Sequence, residues 1–263
     1  MKTNNRPTIR MIHHLHRTGG TLISKCLASL PNTSMLSEIN PRTPEKLMVL
    51  DPTFQASFWL RLLTEKDESR LQTATFLQKI IAIQKSATQR GDALIIRNWA
   101  YLDFFAKPFL AEPSNELSTV SALEDEFELL HVVTVRHPID QWLSWCNYAG
   151  SAKAAEFTFA DFIDACIRFR DQTCHLPFVK YEDFAESPKV QMKRMCDILE
   201  LCHDPIFLRR WPHYHQITGD NSGRASSNGK IESLSRRAMG ESLTEEALGN
   251  PKYLDLLSYY KYT

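Results

Sequence analysis

A strand-like run over residues 8–15 breaks into Arg17-Thr-Gly-Gly-Thr21 and passes at once into an amphipathic helical run over 20–29, stopped by Pro31-Asn32. No other stretch constrains the possible folds as strongly. A chain that leaves a strand through glycines into a helix aims several backbone N–H groups, and the positive end of the helix dipole, at one point. That point suits a phosphate or sulfate. Gly19 and Gly20 let the backbone approach such an anion, Thr18 and Thr21 add hydroxyl donors, and Arg17 adds a fixed fork of charge. The GK[ST] ending of a Walker A loop is absent, which weakens ATP chemistry. The same pattern also occurs in ordinary strand-to-helix turns, so corroboration has to come from elsewhere in the chain.

The rest of the sequence alternates strands with helices. Residues 33–37, 93–97, 129–135 and 176–179 read as further strands. Helices are predicted from a start at Thr43-Pro44-Glu45, over 53–64 and over 69–89, after Pro138, after Thr158 with a capping box to Asp161, and after Ser187-Pro188. Residues 106–126 and 215–230 read as loops, and short helices finish the chain. Such alternation predicts an α/β fold, a three-layer sandwich whose central, mostly parallel sheet is flanked by helices on both faces. A chain of 263 residues is long enough for one large domain spanning 1–263.

Lys+Arg and Asp+Glu both count 31, for a formal net charge of zero. That balance argues against a general nucleic-acid binder. The six cysteines have no CxxC spacing, and several fall on apolar helical faces, so buried free thiols in a reducing compartment are expected. No apolar stretch approaches the ~20 residues of a membrane span. His13, His14 and His16 interrupt the only early apolar run, so no secretory signal is read there. A cytoplasmic protein is the resulting expectation.

Two more segments carry charge to places where open α/β sheets bind ligands. Arg136 leaves the C-terminal end of the predicted 129–135 strand, with Pro138 opening a helix and Ser144 about two turns into it. Ser144 could join Arg136 at one anion only if the ligand lies along that helix. Gly219-Asp-Asn-Ser-Gly-Arg224 is a flexible loop ending in a cation. Taken singly, an arginine at a strand end, a helical serine and a solvated loop are all common.

In their order and spacing the segments resemble the sulfotransferases that use 3′-phosphoadenosine 5′-phosphosulfate (PAPS). His16-Arg-Thr-Gly-Gly-Thr-Leu22 is similar to that family's 5′-phosphosulfate loop, commonly Pro-Lys-Ser-Gly-Thr-Thr-Trp. Arg136 and Ser144, eight residues apart, resemble its 3′-phosphate motif, and Lys180-Tyr-Glu-Asp-Phe184 resembles its Tyr-Glu-Asp segment. The likeness runs from about residue 9 to about 225. It implies a P-loop-like sheet and sulfuryl transfer from PAPS to a hydroxyl or amine. Residues 18–22 and Arg17 would hold the 5′-phosphosulfate. Arg136, Ser144 and Arg224 would hold the 3′-phosphate, and Tyr181 would approach adenine. The scheme requires no metal, and the acceptor would be a small molecule or a carbohydrate.

The departures from the family pattern matter. Arg17 stands where Lys is common, and Leu22 replaces a Trp that often stacks on adenine. The family's Lys-Thr-His segment at the third strand is here Arg97-Asn98-Trp99, without the catalytic His. Glu38, after the second predicted strand, takes the place of the base, as in some bacterial and carbohydrate sulfotransferases; the bland alternative is a surface pair with Arg42. His14 and His16 are secondary candidates for the base. Successive strand residues point to opposite faces, which disfavours a metal site at His13, His14 and His16. Glu182 and Asp183 are expected to hold the turn before the next helix. Trp99, Tyr101, Phe104, Phe105, Trp142 and Trp145 are expected to divide between core packing and an acceptor pocket. Two other functions fit less well: a P-loop nucleotide kinase, or a non-catalytic anion-binding protein of the same fold.

Overall fold

Five strands among the described residues form one all-parallel sheet in the order β2-β3-β1-β4-β5. They are β1 Thr8–His14, β2 Thr33–Ile39, β3 Ala93–Asn98, β4 Glu128–Val135 and β5 Phe178–Lys180. The computed structural model describes residues 6–154, 157–219 and 229–262. The strands are buried along most of their length because both faces of the sheet are covered, and polar residues such as His13, His14, Ser34 and Ser37 are buried with the apolar ones. Along β1, Ile12 faces the core under the helix α1, Gly20–Ala28, while Ile9 and Met11 face the core under the Phe76–Arg90 helix. Ile23, Cys26 and Leu27 bury that side of α1 completely. Ile23 and Leu27 each contribute roughly 1.5–3 kcal/mol by leaving water. The helices Phe159–Thr173 and Pro251–Tyr259 cover the β4 end of the second face.

After β1 the chain crosses to β2 and β3 on one side, then to β4 on the other. The switch lies between β1 and β4, where a parallel sheet opens a crevice at its carboxyl edge. Arg17 follows β1 and Arg136 follows β4, so both reach that crevice.

Several local expectations are corrected. No helix starts at Thr43–Glu45; the turn closes on Asn40, whose Oδ1 accepts from Arg42 N at 2.8 Å, and Arg42 is tied to the carbonyls of Leu102 and Glu112. The 53–64 helix is a short turn, Pro52–Phe54, followed by a π-helical Gln55–Trp59. There Gln55 is drawn inward: its side-chain amide accepts from Ser37 N at 2.7 Å and donates to Ser37 O at 2.8 Å, covering the open edge of β2. Residues 69–89 are two helices, Glu65–Leu71 and Phe76–Arg90, because Thr75 forms a capping box with Gln78. Thr119 and Leu123, placed in a surface loop, are fully buried, and Ser118–Ser121 is helical. The cysteines are free, but only Cys26, Cys166 and Cys196 are buried, while Cys174 and Cys202 are exposed. Among the described residues no helix is long and apolar enough to cross a membrane.

Candidate active site

The turn after β1 is held in an unusual backbone conformation. Arg17 has φ 64° and Gly19 φ 80°, in the left-handed region. A Cβ on Gly19 would overlap the ring of Tyr181, and one on Gly20 would sit 2.8 Å from the ring of His14. Both glycines are therefore required by close approach of a side chain. Gln141 fixes the turn from the neighbouring helix, donating from Nε2 to His16 O at 2.8 Å. Thr18 donates its hydroxyl inward to Leu15 O at 2.9 Å, so it braces the turn rather than presenting the expected ligand donor.

Gly19 caps α1 without a side chain, and no acidic residue lies in the helix's first turn. Ile23 N finds Gly19 O at 3.2 Å, which leaves the N–H groups of Gly20, Thr21 and Leu22 without intrahelical acceptors. These donors and the helix dipole make a position whose chemistry suits an anion. The Leu22 side chain packs on the core under α1, so only its backbone serves the position.

Around this position the structure gathers three arginines. Arg17 Nε donates to Ser144 Oγ at 3.0 Å, and its guanidinium lies 4.8 Å above the ring of Tyr148. Arg136 Nη1 reaches Arg17 O at 3.5 Å, and its guanidinium lies 5.0 Å above the ring of Tyr181. Ser144 thus meets Arg17 directly. The Tyr181 ring, buried between Gly19 and Arg136, is a wall of the crevice. Arg224 lies outside the described residues.

The third arginine, Arg97 on β3, was not among the expected site residues. It is 3% exposed and uses all three nitrogens: Nε donates to His14 Nε2 at 2.7 Å, Nη1 to Ser37 Oγ at 3.2 Å and to Thr218 O at 3.0 Å, and Nη2 to Thr21 Oγ1 at 3.2 Å. Nη2 also pairs with Glu38 Oε1 at 3.3 Å. Burial lowers the Arg97 pKa and Glu38 opposes the shift. A signal for it existed in the sequence: an arginine inside the apolar run Leu-Ile-Ile-Arg needs buried acceptors.

Glu38 owes its direction to a β-bulge. The β2–β3 register shifts between Ser37 and Ile39, and Glu38, the extra residue, has φ 56°. Its side chain turns toward Arg97 and α1, with 19% exposure, instead of pairing with Arg42. Thr218 N and Oγ1 both bond Ser37 Oγ, at 3.1 and 2.8 Å, which lays the 215–219 segment over the site. A Cβ on Gly219 would stand 3.3 Å from Thr21 Oγ1 and 3.5 Å from Glu38 Oε1.

The histidines separate as strand alternation requires. His14 donates from Nδ1 to Leu15 O at 2.9 Å and accepts from Arg97 at Nε2; burial, then Arg97, pushes its pKa down to about 3. With both nitrogens committed it is a structural member of the site. His13 faces the other side, with Asn98 Nδ2 at 3.3 Å and His131 Nδ1 at 2.9 Å. His16 is boxed by Tyr101, Phe105, Trp145 and Phe162, and neither ring nitrogen has a hydrogen-bond partner among the described residues. Trp99, Tyr101, Phe104 and Phe105 are all core residues.

No protein-family model matches the chain, and no curated protein matches it. Solved structures do. The sulfotransferase domain from the curacin biosynthetic pathway is 17% identical, with a TM-score of 0.61, and covers 98% of each chain. The sulfotransferase domain from the Synechococcus PCC 7002 olefin synthase is 15% identical, with a TM-score of 0.62, covering 100% of this chain and 98% of that one. The chain has the sulfotransferase fold.

Proposed function

We propose that this protein is a sulfotransferase that moves the sulfuryl group of PAPS to a hydroxyl or amine of a small-molecule or carbohydrate acceptor. The observation that carries this reading is the convergence of Arg17 and Arg136 at the β1/β4 crevice, beside the open N–H groups of α1. Two cationic positions next to one helix N-terminus match a donor with two separate anionic groups.

In this scheme the N–H groups of residues 20–22 hold the 5′-phosphosulfate. Arg17 neutralises charge growing on the leaving phosphate oxygen. Arg136, with Ser144 and Arg224, takes the 3′-phosphate, and Tyr181 walls the adenosine side. The acceptor oxygen attacks sulfur in line as its proton passes to the Glu38 carboxylate. The S–O bond to the phosphate breaks and its electron pair stays on the leaving 3′,5′-adenosine bisphosphate (PAP). Arg97 pairs with Glu38 at 3.3 Å and keeps it aimed at α1, so the protein's part is mainly positioning and charge stabilisation.

Calorimetry with PAP against ATP, followed by turnover of labelled PAPS with an acceptor panel, tests the proposal. PAP is expected to bind without added metal and ATP weakly. Arg17→Ala is expected to slow transfer by ~100-fold or more, as loss of a charge-stabilising donor does. Preferred binding of ATP, or PAP binding with no transfer to any hydroxyl or amine, overturns the reading.

A further inference from the structure

We propose that the C-terminal end of the chain belongs to the donor site, with Glu182 as a positioning residue that ties Tyr262 to the backbone carrying Arg136 and so sets selectivity for the 3′-phosphate. The inference rests on the donor assignment above. Glu182 divides its carboxylate between two partners: Oε1 accepts from His137 N at 3.0 Å, and Oε2 accepts from the Tyr262 hydroxyl at 3.0 Å. His137 directly follows Arg136 and precedes Pro138, the first residue of the Pro138–Ala154 helix. Its N–H is therefore a helix-entry donor, and a carboxylate there is favoured by the dipole as well as by the hydrogen bond.

The neighbouring residue completes the clamp. Tyr181 places its ring under the Arg136 guanidinium, while Glu182 holds the backbone one residue on. Tyr262 is held from several sides. It is 8% exposed, the His137 ring meets it edge-on at 5.0 Å, and Lys180 Nζ lies 5.1 Å from its ring and 3.4 Å from Lys261 O. The Arg236 guanidinium lies 5.8 Å from the same ring. Burial, and after it Glu182, raises the Tyr262 pKa, so the phenol stays a donor. The wall behind Arg136 is also C-terminal: a small cavity there is lined by Thr134, Arg136, Leu256 and Tyr260. A guanidinium grips a phosphate through fixed paired donors, so tilting the backbone that carries it weakens that contact first. A ligand without a 3′-phosphate never makes the contact.

Calorimetry on the intact 263-residue chain with PAP and with 5′-AMP tests this. The wild type is expected to prefer PAP. Tyr262→Phe, which removes one oxygen, and Glu182→Ala are expected to weaken PAP by about 5-fold or more, the worth of a charge-assisted hydrogen bond, and to leave AMP unchanged. Glu182→Gln keeps an oxygen for His137 and an NH₂ group toward Tyr262, and retains most of the preference. Tyr259→Phe removes a hydroxyl that bonds Cys174 O at 3.0 Å, away from Glu182, and serves as the neutral control. A wild type without preference for PAP removes the donor assignment and this inference together. A preference left intact by both Tyr262→Phe and Glu182→Ala overturns the inference alone. So does equal weakening of both ligands with a lower melting temperature, which marks a role in folding only.

Discussion

The ring of Tyr181 occupies the space that a Cβ on Gly19 would need, although the two residues are 162 positions apart. The turn after β1 and the segment after β5 are therefore built against each other. Gly19→Ala is expected to destabilise the protein by roughly 2–4 kcal/mol, from overlap with the ring and from a left-handed φ that alanine resists. Adding Tyr181→Ala is expected to restore the steric part only. Thermal melts of the two variants check this; a Gly19→Ala protein as stable as wild type contradicts the packing.

Arg97 joins five acceptors from β1, β2, α1 and the 215–219 segment. Arg97→Met leaves Glu38 and His14 without their donor and is expected to cost about 3 kcal/mol or more. Replacing Glu38 by Met as well is expected to recover part of that loss, measured as a coupling in a double-mutant cycle by urea unfolding. Strict additivity would show that the pair is not coupled.

Glu38→Gln is expected to leave PAP affinity within about 2-fold and to slow transfer by ~100-fold, the usual share of a general base. Single-turnover measurements on the PAPS complex read the chemical step directly. An unchanged rate assigns the proton to another group.

Burial holds His14 and His16 neutral, with pKa values pushed down to about 3 from an ordinary 6.5. In the unfolded chain they protonate near 6.5, so below that pH the unfolded state binds more protons than the folded one. Their contribution to stability is complete above about pH 6.5 and falls as the pH drops toward 3. The slope is at most ~1.4 kcal/mol per pH unit for each group. Urea midpoints are expected to be lower at pH 5 than at pH 7.5. A midpoint that rises on acidification contradicts the burial of these rings.

His16→Phe removes two buried nitrogens that lack partners among the described residues, within a box of aromatic rings. Leaving a polar group buried and unpaired costs roughly 1–3 kcal/mol, so the variant is expected to melt higher than wild type and to lose part of the acid sensitivity. A lower melting temperature would mean that the imidazole has a partner in solution.

The parallel sheet was legible because its evidence is local. Residues 129–135 (Leu-Leu-His-Val-Val-Thr-Val) carry apolar side chains at five of seven positions, three of them β-branched valines, and Pro138 marks the end of a strand and the start of a helix. The glycine turn at 19–20 and the arginines at 17 and 136 could be placed at strand ends for the same reason. The 40–75 region was read less well: Gln55 is turned inward by the β2 edge, and Thr75 breaks what looked like one continuous helix. The role of Arg97 was not legible because its acceptors, on His14, Thr21, Ser37, Glu38 and Thr218, lie 59 to 121 residues away in sequence and meet it only in the folded sheet.

Apolar runs, glycine and proline placement and the spacing of charged residues determined an α/β sheet with cations at its carboxyl edge, since those features act over a few residues at a time. Tertiary structure alone decided that Ser144 meets Arg17, that a bulge turns Glu38 toward Arg97, and that Tyr262 reaches the strand end at His137 through Glu182. These pairings join segments 45 to 127 residues apart, and only the packing of strands and helices brings such segments within hydrogen-bonding range.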